Sequence, residues 1–315
     1  MAACIIFYAL KVSLPSIQFP IQFYSTHNHD DLKLVLIHAI KGAQRSIHCR
    51  TYALTDLSIL SLLKKKARKG VDVHLYYHKK TSPKLILLED THFHFHPIQE
   101  RGLMHEKLWI IDESQIFFGS ANMTYSSLKM HENSILGVYS PQLAQALMQP
   151  CNTEIIHVIQ EQTIHYFSLP NAKALDSLLA LLDQAKKRIH LFLFTFTHPK
   201  IVEKLVELYT KGIQITLTID ASTSRGASKK AVTTLAKAGI PIYLSQGLQL
   251  FHHKWALVDD HTLILGSANW TQSAFNRNRD FILLLYPLKN KQIKYMNKII
   301  NNINRVSKMG SFGIH

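Results

Sequence analysis

Apolar and polar positions along this chain switch between a helical and a strand-like spacing, and they do so twice in the same order. The stretch "AIKGAQRSIHCRTYALTDLSILSLLKKKARKGVDVHLYY" runs from an amphipathic helix into a β-rich segment (46–54), a second helix and another strand (71–77). Later, "LLDQAKKRIHLFLFTFTHPKIVEKLVELYTKGIQITLTI" repeats that order, with β-rich segments at 188–196 and 213–219. Ile47 falls on Ile189, Tyr52 on Phe194, Thr55 on Thr197 and Gly70 on Gly212, a constant shift of 142 (212 − 70) without a gap. Lys69-Gly70 and Lys211-Gly212 read as helix ends, where a cation suits the dipole and glycine takes a left-handed cap. Strand, helix, strand predicts right-handed crossovers and at least partly parallel sheets.

A second repeated stretch is polar where a core strand should be apolar. "MHEKLWIIDESQIFFGSAN" (104–122) and "FHHKWALVDDHTLILGSAN" (251–269) share His, Lys, Asp and Gly-Ser-Ala-Asn at the same spacing, with a larger shift of 147 (252 − 105). The matched residues are His105, Lys107, Asp112, Gly119, Ser120 and Asn122, then His252, Lys254, Asp259, Gly266, Ser267 and Asn269. On a strand, positions i and i+2 share a face, so each His points with its Lys while Glu106 and His253 point away. A lysine in a core strand calls for an anionic partner. "DESQ" and "DDHT" form turns, so each strand returns and brings Ser and Asn beside His and Lys. The glycines are expected to let backbone approach whatever is bound. Asp112 and Asp259, at odd spacing from their histidines, are expected to support the turns rather than touch substrate.

Two such halves about a pseudo-twofold axis would bring two His, two Lys and two Asn around one phosphate, one imidazole attacking and the other protonating the leaving oxygen. The doubled HxKxxxxD motif followed by GSxN resembles the phospholipase D superfamily over about residues 25 to 285. The resemblance implies an α/β fold of two homologous α/β/α halves with mixed, largely parallel sheets about a pseudo-twofold axis. It also implies a phosphodiesterase working through a phosphohistidine with no metal or other cofactor. His105 would be the nucleophile and His252 the general acid, and an acidic residue downstream of each motif would hold a histidine in its reactive tautomer: Glu132 in "MHENS" and Asp280 in "NRNRD". Glu132 and Asp280 differ by 148, one residue out of register with the motifs. Neither motif has lost its His or Lys, which argues against an inert scaffold.

The repeats divide the chain into an apolar N-terminal segment (1–24), a first half (25–155), a second half (160–287) and a basic tail (288–315). The tail reads as a basic helix docked on the body, with membrane or nucleic-acid contact as the alternative. "MAACIIFYALKVSLPSIQF" is broken by Lys11 and Pro15 before it reaches membrane-spanning length and lacks a basic n-region. With neither a convincing transmembrane helix nor a signal peptide, the compartment stays open, membrane association and export being the options considered. Cys4, Cys49 and Cys151 are odd in number and widely separated, so no disulfide framework or thiolate metal site is indicated. "HFHFHP" sets His92, His94 and His96 on one face of an extended run, either a metal-binding spacing or an edge strand with solvated histidines.

A net charge of +15 favours an anionic partner. Phospholipid is the favoured substrate, with possible peripheral membrane contact and nucleic acid as runner-up. Alcohol transfer of the cardiolipin-synthesis kind is a third reading, set against the lack of long N-terminal spans. Both motifs lie in one chain, so a monomer suffices for a complete site.

Overall fold

The computed structural model describes residues 12–149, 151, 153–246 and 249–312. Residues 1–11 of the apolar N-terminal segment therefore lie outside the described residues; its end enters the edge strand β1 (Ile21–Ser25). The first sheet has seven strands in the order β1-β7-β6-β5-β2-β3-β4. These are β2 (Ser46–Thr51), β3 (Asp72–His78), β4 (Phe93–Ile98), β5 (Lys107–Ile111), β6 (Gln115–Gly119) and β7 (Ser134–Tyr139).

The second sheet is built alike, in the order β16-β12-β11-β10-β13-β14-β15-β9-β8. Its strands are β8 (Glu154–Ile159), β9 (Gln162–Leu169), β10 (Arg188–Leu193), β11 (Gln214–Ile219), β12 (Ile242–Ser245), β13 (Lys254–Val258), β14 (Thr262–Gly266), β15 (Asp280–Tyr286) and β16 (Ser307–Met309). Where the first half gives way to the second, the chain forms the hairpin β8–β9 at the edge of the second sheet. The second sheet thus begins at Glu154, ahead of residue 160.

Both sheets are mixed, but parallel pairing is confined to β2–β3–β4 and β10–β11–β12, where helices provide the crossovers. The expectation of largely parallel sheets is corrected here. The motif strands return through tight turns, and a tight turn can only pair strands antiparallel. Gly70 and Gly212 close their helices at φ +83° and +92°, a conformation that penalises any Cβ.

Helices Leu32–Gly42 and Leu57–Ala67 cover one face of the first sheet, and Ala172–Asp183 and Pro199–Thr210 the matching face of the second. Between the sheets lies a third core. Leu108, Ile110, Phe118 and Leu136 from the first meet Trp255, Leu257, Phe281 and Leu283 from the second. The basic tail joins it, the helix Asn290–Arg305 burying Met296, Ile299, Ile300 and Ile303. Among the described residues no helix is long and apolar enough to cross a membrane.

Candidate active site

The site forms where β5 and β13 begin, at the end of the core between the sheets. Neither strand start would normally hold a charge, yet Lys107 and Lys254 are 1 % and 2 % exposed, with His105 and His252 also buried. Each ammonium turns back on its own motif: Lys107 Nζ donates to His105 O (2.7 Å) and Lys254 Nζ to His252 O (2.9 Å). Each also sits over an aromatic ring, Lys107 over Tyr52 at 5.9 Å and Lys254 over Phe194 at 5.2 Å. Those rings flank the histidines as well, with centroid distances of 5.4 Å for Tyr52–His105 and 4.8 Å for Phe194–His252. The repeat had aligned Tyr52 with Phe194; it gave no sign that both would line the site.

Among the described residues neither lysine makes an ion pair, and the electrostatics follow. Burial pushes Lys107 down to about 7, although Asp280 and Glu106 oppose the shift. Lys254 falls well below its ordinary value through burial and the nearby Lys107. Burial and the lysines also hold both histidines below their usual values, His252 the further. An anion entering this cluster would raise all four.

The histidines are oriented across the pseudo-twofold axis. His105 Nδ1–H donates to Asp280 Oδ1 at 2.8 Å, a fully buried carboxylate from the other half. Ser267 Oγ–H donates to the same oxygen at 2.6 Å, and Phe281 N–H donates to Ser267 Oγ at 3.0 Å. Burial would raise the Asp280 pKa, but His105 and Lys107 outweigh it and hold the carboxyl below its ordinary value. The reciprocal contact runs from His252 Nδ1 to Asn133 Oδ1 at 3.1 Å. Ser120 Oγ–H donates to that oxygen at 2.8 Å, and Asn133 Nδ2 donates to Ser127 O at 2.8 Å. Because the Asn133 amide must present its NH2 to a carbonyl, its oxygen faces His252, and Nδ1 of that ring carries the proton. In both histidines the proton on Nδ1 frees Nε2 for chemistry.

Glu132 does not hold a motif histidine. Its backbone pairs with the strand-like run before the second motif, Glu132 N–H donating to Leu250 O and His252 N–H to Glu132 O. Successive side chains then point oppositely, so Asn133 faces His252 while the Glu132 carboxylate meets His27 Nε2 at 3.3 Å. Register marked Asn133: it lies 147 residues before Asp280, the shift that relates the motifs.

Asp112 accepts hydrogen bonds from the backbone N–H groups of Gln44, Arg45 and Ser46, and Asp259 from those of Lys186, Lys187 and Arg188. Both sit at the motif turns with φ near +50° and tie each turn to the start of the neighbouring strand. The motif glycines are closely packed against the neighbouring strand. A Cβ on Gly266 would lie 2.3 Å from Phe281 O, and one on Gly119 3.3 Å from Ile135 Cγ1. Asn122 and Asn269 follow the glycines, each with a buried Oδ1 that has no hydrogen-bond partner among the described residues. Glu106 points away to Arg50 (3.4 Å) and His253 is buried on the far side of its strand.

Two His-Lys-Asn sets, each histidine held by a residue of the opposite half, define the phospholipase D class of α/β protein. The family model described as "Cardiolipin synthase, PLD-like domain" matches residues 36–155 and 178–304, and the chain belongs to that family. Among curated relatives, the mouse protein named "Mitochondrial cardiolipin hydrolase" is 34% identical over 119 residues, covering 38% of this chain and 53% of its own length. A Rickettsia prowazekii protein named "Phospholipase D" is 25% identical over 118 residues, 36% of this chain and 58% of that one. The alignments thus span about half the length of these relatives. A phosphatidylserine synthase from Haemophilus influenzae superimposes with a TM-score of 0.75 over 95% of this chain and 89% of its own, at 15% identity, a likeness of fold.

Proposed function

We propose that the chain is a phospholipase D-type phosphodiesterase that hydrolyses a phospholipid head-group phosphodiester through a phosphohistidine on His105. The observation that carries this reading is the unequal backing of the two histidines. His105 donates to a carboxylate, which stabilises the positive charge that develops on the ring as it bonds to phosphorus. His252 donates to a neutral amide, which stabilises its cation less and leaves it the stronger acid.

In the first step His105 Nε2 attacks phosphorus. The P–N bond forms as the bond to the leaving oxygen breaks, and that oxygen takes the proton from Nε2 of the His252 imidazolium. In the second, neutral His252 accepts a proton from water as the water oxygen bonds to phosphorus and the P–N bond breaks. Lys107, Lys254, Asn122 and Asn269 stabilise the phosphoryl oxygens during both steps.

Support for lipid comes from the names of the two relatives and from the rim. Leu103 and Met130, 39% and 50% exposed, lie on the loops that deliver His105 and Asn133 to the site. The net charge of +15 suits nucleic acid equally, so the test includes it. Purified protein is incubated in chelator with phosphatidylcholine or cardiolipin vesicles, with and without a primary alcohol, and with single- and double-stranded DNA and RNA. Lipid cleavage is expected; product from nucleic acid alone overturns the substrate assignment, and alcohol adducts in place of acid make the enzyme a transferase. His105→Ala and His252→Ala should each lower turnover by at least about 1000-fold. With an activated leaving group, His252→Ala should accumulate labelled phosphoprotein and His105→Ala should not. The converse result reverses the two roles.

A further inference from the structure

Three neighbouring strands of the first sheet carry histidines in cross-strand register, none of them part of the two His-Lys-Asn sets. His48, His74 and His94 pair directly through β2, β3 and β4, and His96 follows two positions along β4. Their rings stack, with centroid separations of 4.8 Å for His48–His74, 4.7 Å for His74–His94 and 5.4 Å for His74–His96. One carboxylate serves two of them: Asp72 Oδ2 lies 3.0 Å from His74 Nε2, and Asp72 Oδ1 lies 2.9 Å from His94 Nε2.

We propose that Asp72, His74 and His94 form a binding site for a divalent transition-metal ion of the zinc type, independent of the phosphodiester site. One ligand atom from each residue falls within a 4.8 Å cluster. Two imidazole nitrogens and a carboxylate oxygen suit Zn2+, and partial exposure leaves a fourth position for water. The next shell is also present. When His74 binds through Nε2 its proton sits on Nδ1, and that nitrogen faces His96 Nε2 at 3.1 Å, an acceptor of the sort that orients metal-binding imidazoles. Ligand atoms about 2 Å from a tetrahedral ion lie about 3.3 Å from one another, so the His–Asp separations of 2.9–3.0 Å need open only slightly, by small side-chain rotations, to admit the ion.

The repeat supplies an internal comparison. His48 has its counterpart in His190, but the shift of 142 puts Gln214 at the place of Asp72 and Thr216 at that of His74. His190 simply bonds Thr216 Oγ1 at 2.8 Å, so the fold does not need the cluster. The sequence signal "HFHFH" pointed at the correct strand with the wrong set. His92 precedes β4 and takes no part; the two further ligands come from β3.

The test uses the full chain, stripped of metal and titrated with Zn2+ by calorimetry, with Co2+ absorption as a second readout. A site of near-unit stoichiometry is expected, weakened at least about 100-fold by Asp72→Asn or His94→Ala and about 10-fold or more by His96→Ala. Far-ultraviolet circular dichroism confirms that each variant is folded, and His94→Gln replaces any that is not. No Zn2+ binding, or binding unchanged in the Asp72 and His94 variants, overturns the proposal. The readout is metal binding, so its failure is separate from any failure of the phosphodiesterase reading.

Discussion

Lys107→Met should make the free protein more stable while destroying its activity. The lysine is fully buried, and the fall of its pKa from 10.5 to about 7 corresponds to a cost of about 5 kcal/mol for keeping the ammonium charged inside the fold. Methionine fills nearly the same space, so little cavity is created. Against the gain stand the lost hydrogen bond to His105 O, about 1 kcal/mol, and the lost contact with the Tyr52 ring, about 1 kcal/mol. The net expectation is a stabilisation on the order of 2–3 kcal/mol at pH 6. Its pH dependence carries the sign. Below about 7 the lysine is charged in both folded and unfolded states and the penalty is complete. Between about 7 and 10.5 the unfolded chain holds the proton that the folded one has released, so wild-type stability rises with pH. The advantage of the variant should therefore shrink steadily from pH 6 to pH 10. Urea unfolding of both proteins across that range measures the difference directly, since titrations common to both cancel. A variant less stable than wild type at pH 6, or a difference that ignores pH, would refute the reasoning that the site holds strained cations for an anionic substrate.

Three further outcomes follow from the orienting network and its packing. Asp280→Asn should lower kcat by about 100-fold to 10000-fold, whereas Glu132→Gln should stay within about threefold of wild type in the same lipid assay; comparable losses would restore Glu132 to the site. Asn133→Asp gives His252 a carboxylate partner and raises its pKa, so the alkaline limb of the pH–rate profile should move upward and poor leaving groups should suffer more than activated ones. An unshifted limb would mean that His252 is not the proton donor. Gly266→Ala should cost at least about 2 kcal/mol in urea unfolding, because its Cβ meets the backbone oxygen of Phe281, while Gly119→Ala meets only a movable Ile135 side chain and should cost less than half as much.

What the sequence disclosed and what it concealed divide along a physical line. Residues separated by a few positions on a strand reveal their shared face, so His105 with Lys107 and His252 with Lys254 were legible from alternation alone. The tight turns were legible too, through Asp-rich stretches that tolerate the left-handed backbone seen at Asp112 and Asp259. Partners brought together by the pairing of distant segments were not. The loop before each motif strand lies against the loop that ends the other half's GSAN segment: His105 N–H donates to Arg279 O, and His252 N–H to Glu132 O. Each orienting side chain therefore serves the opposite histidine, an exchange that no local pattern announces. The expectation of Glu132 rested on its acidic side chain, although the shift of 147 that aligns the motifs also aligns Asn133 with Asp280. Register was the better guide because the repeat preserves backbone pairing more faithfully than side-chain charge. On the proposed mechanism, this departure from symmetry, an amide on one side and a carboxylate on the other, gives the two histidines different work. The carboxylate suits a ring that would become cationic on phosphorylation, and the amide suits a ring that would give its proton away.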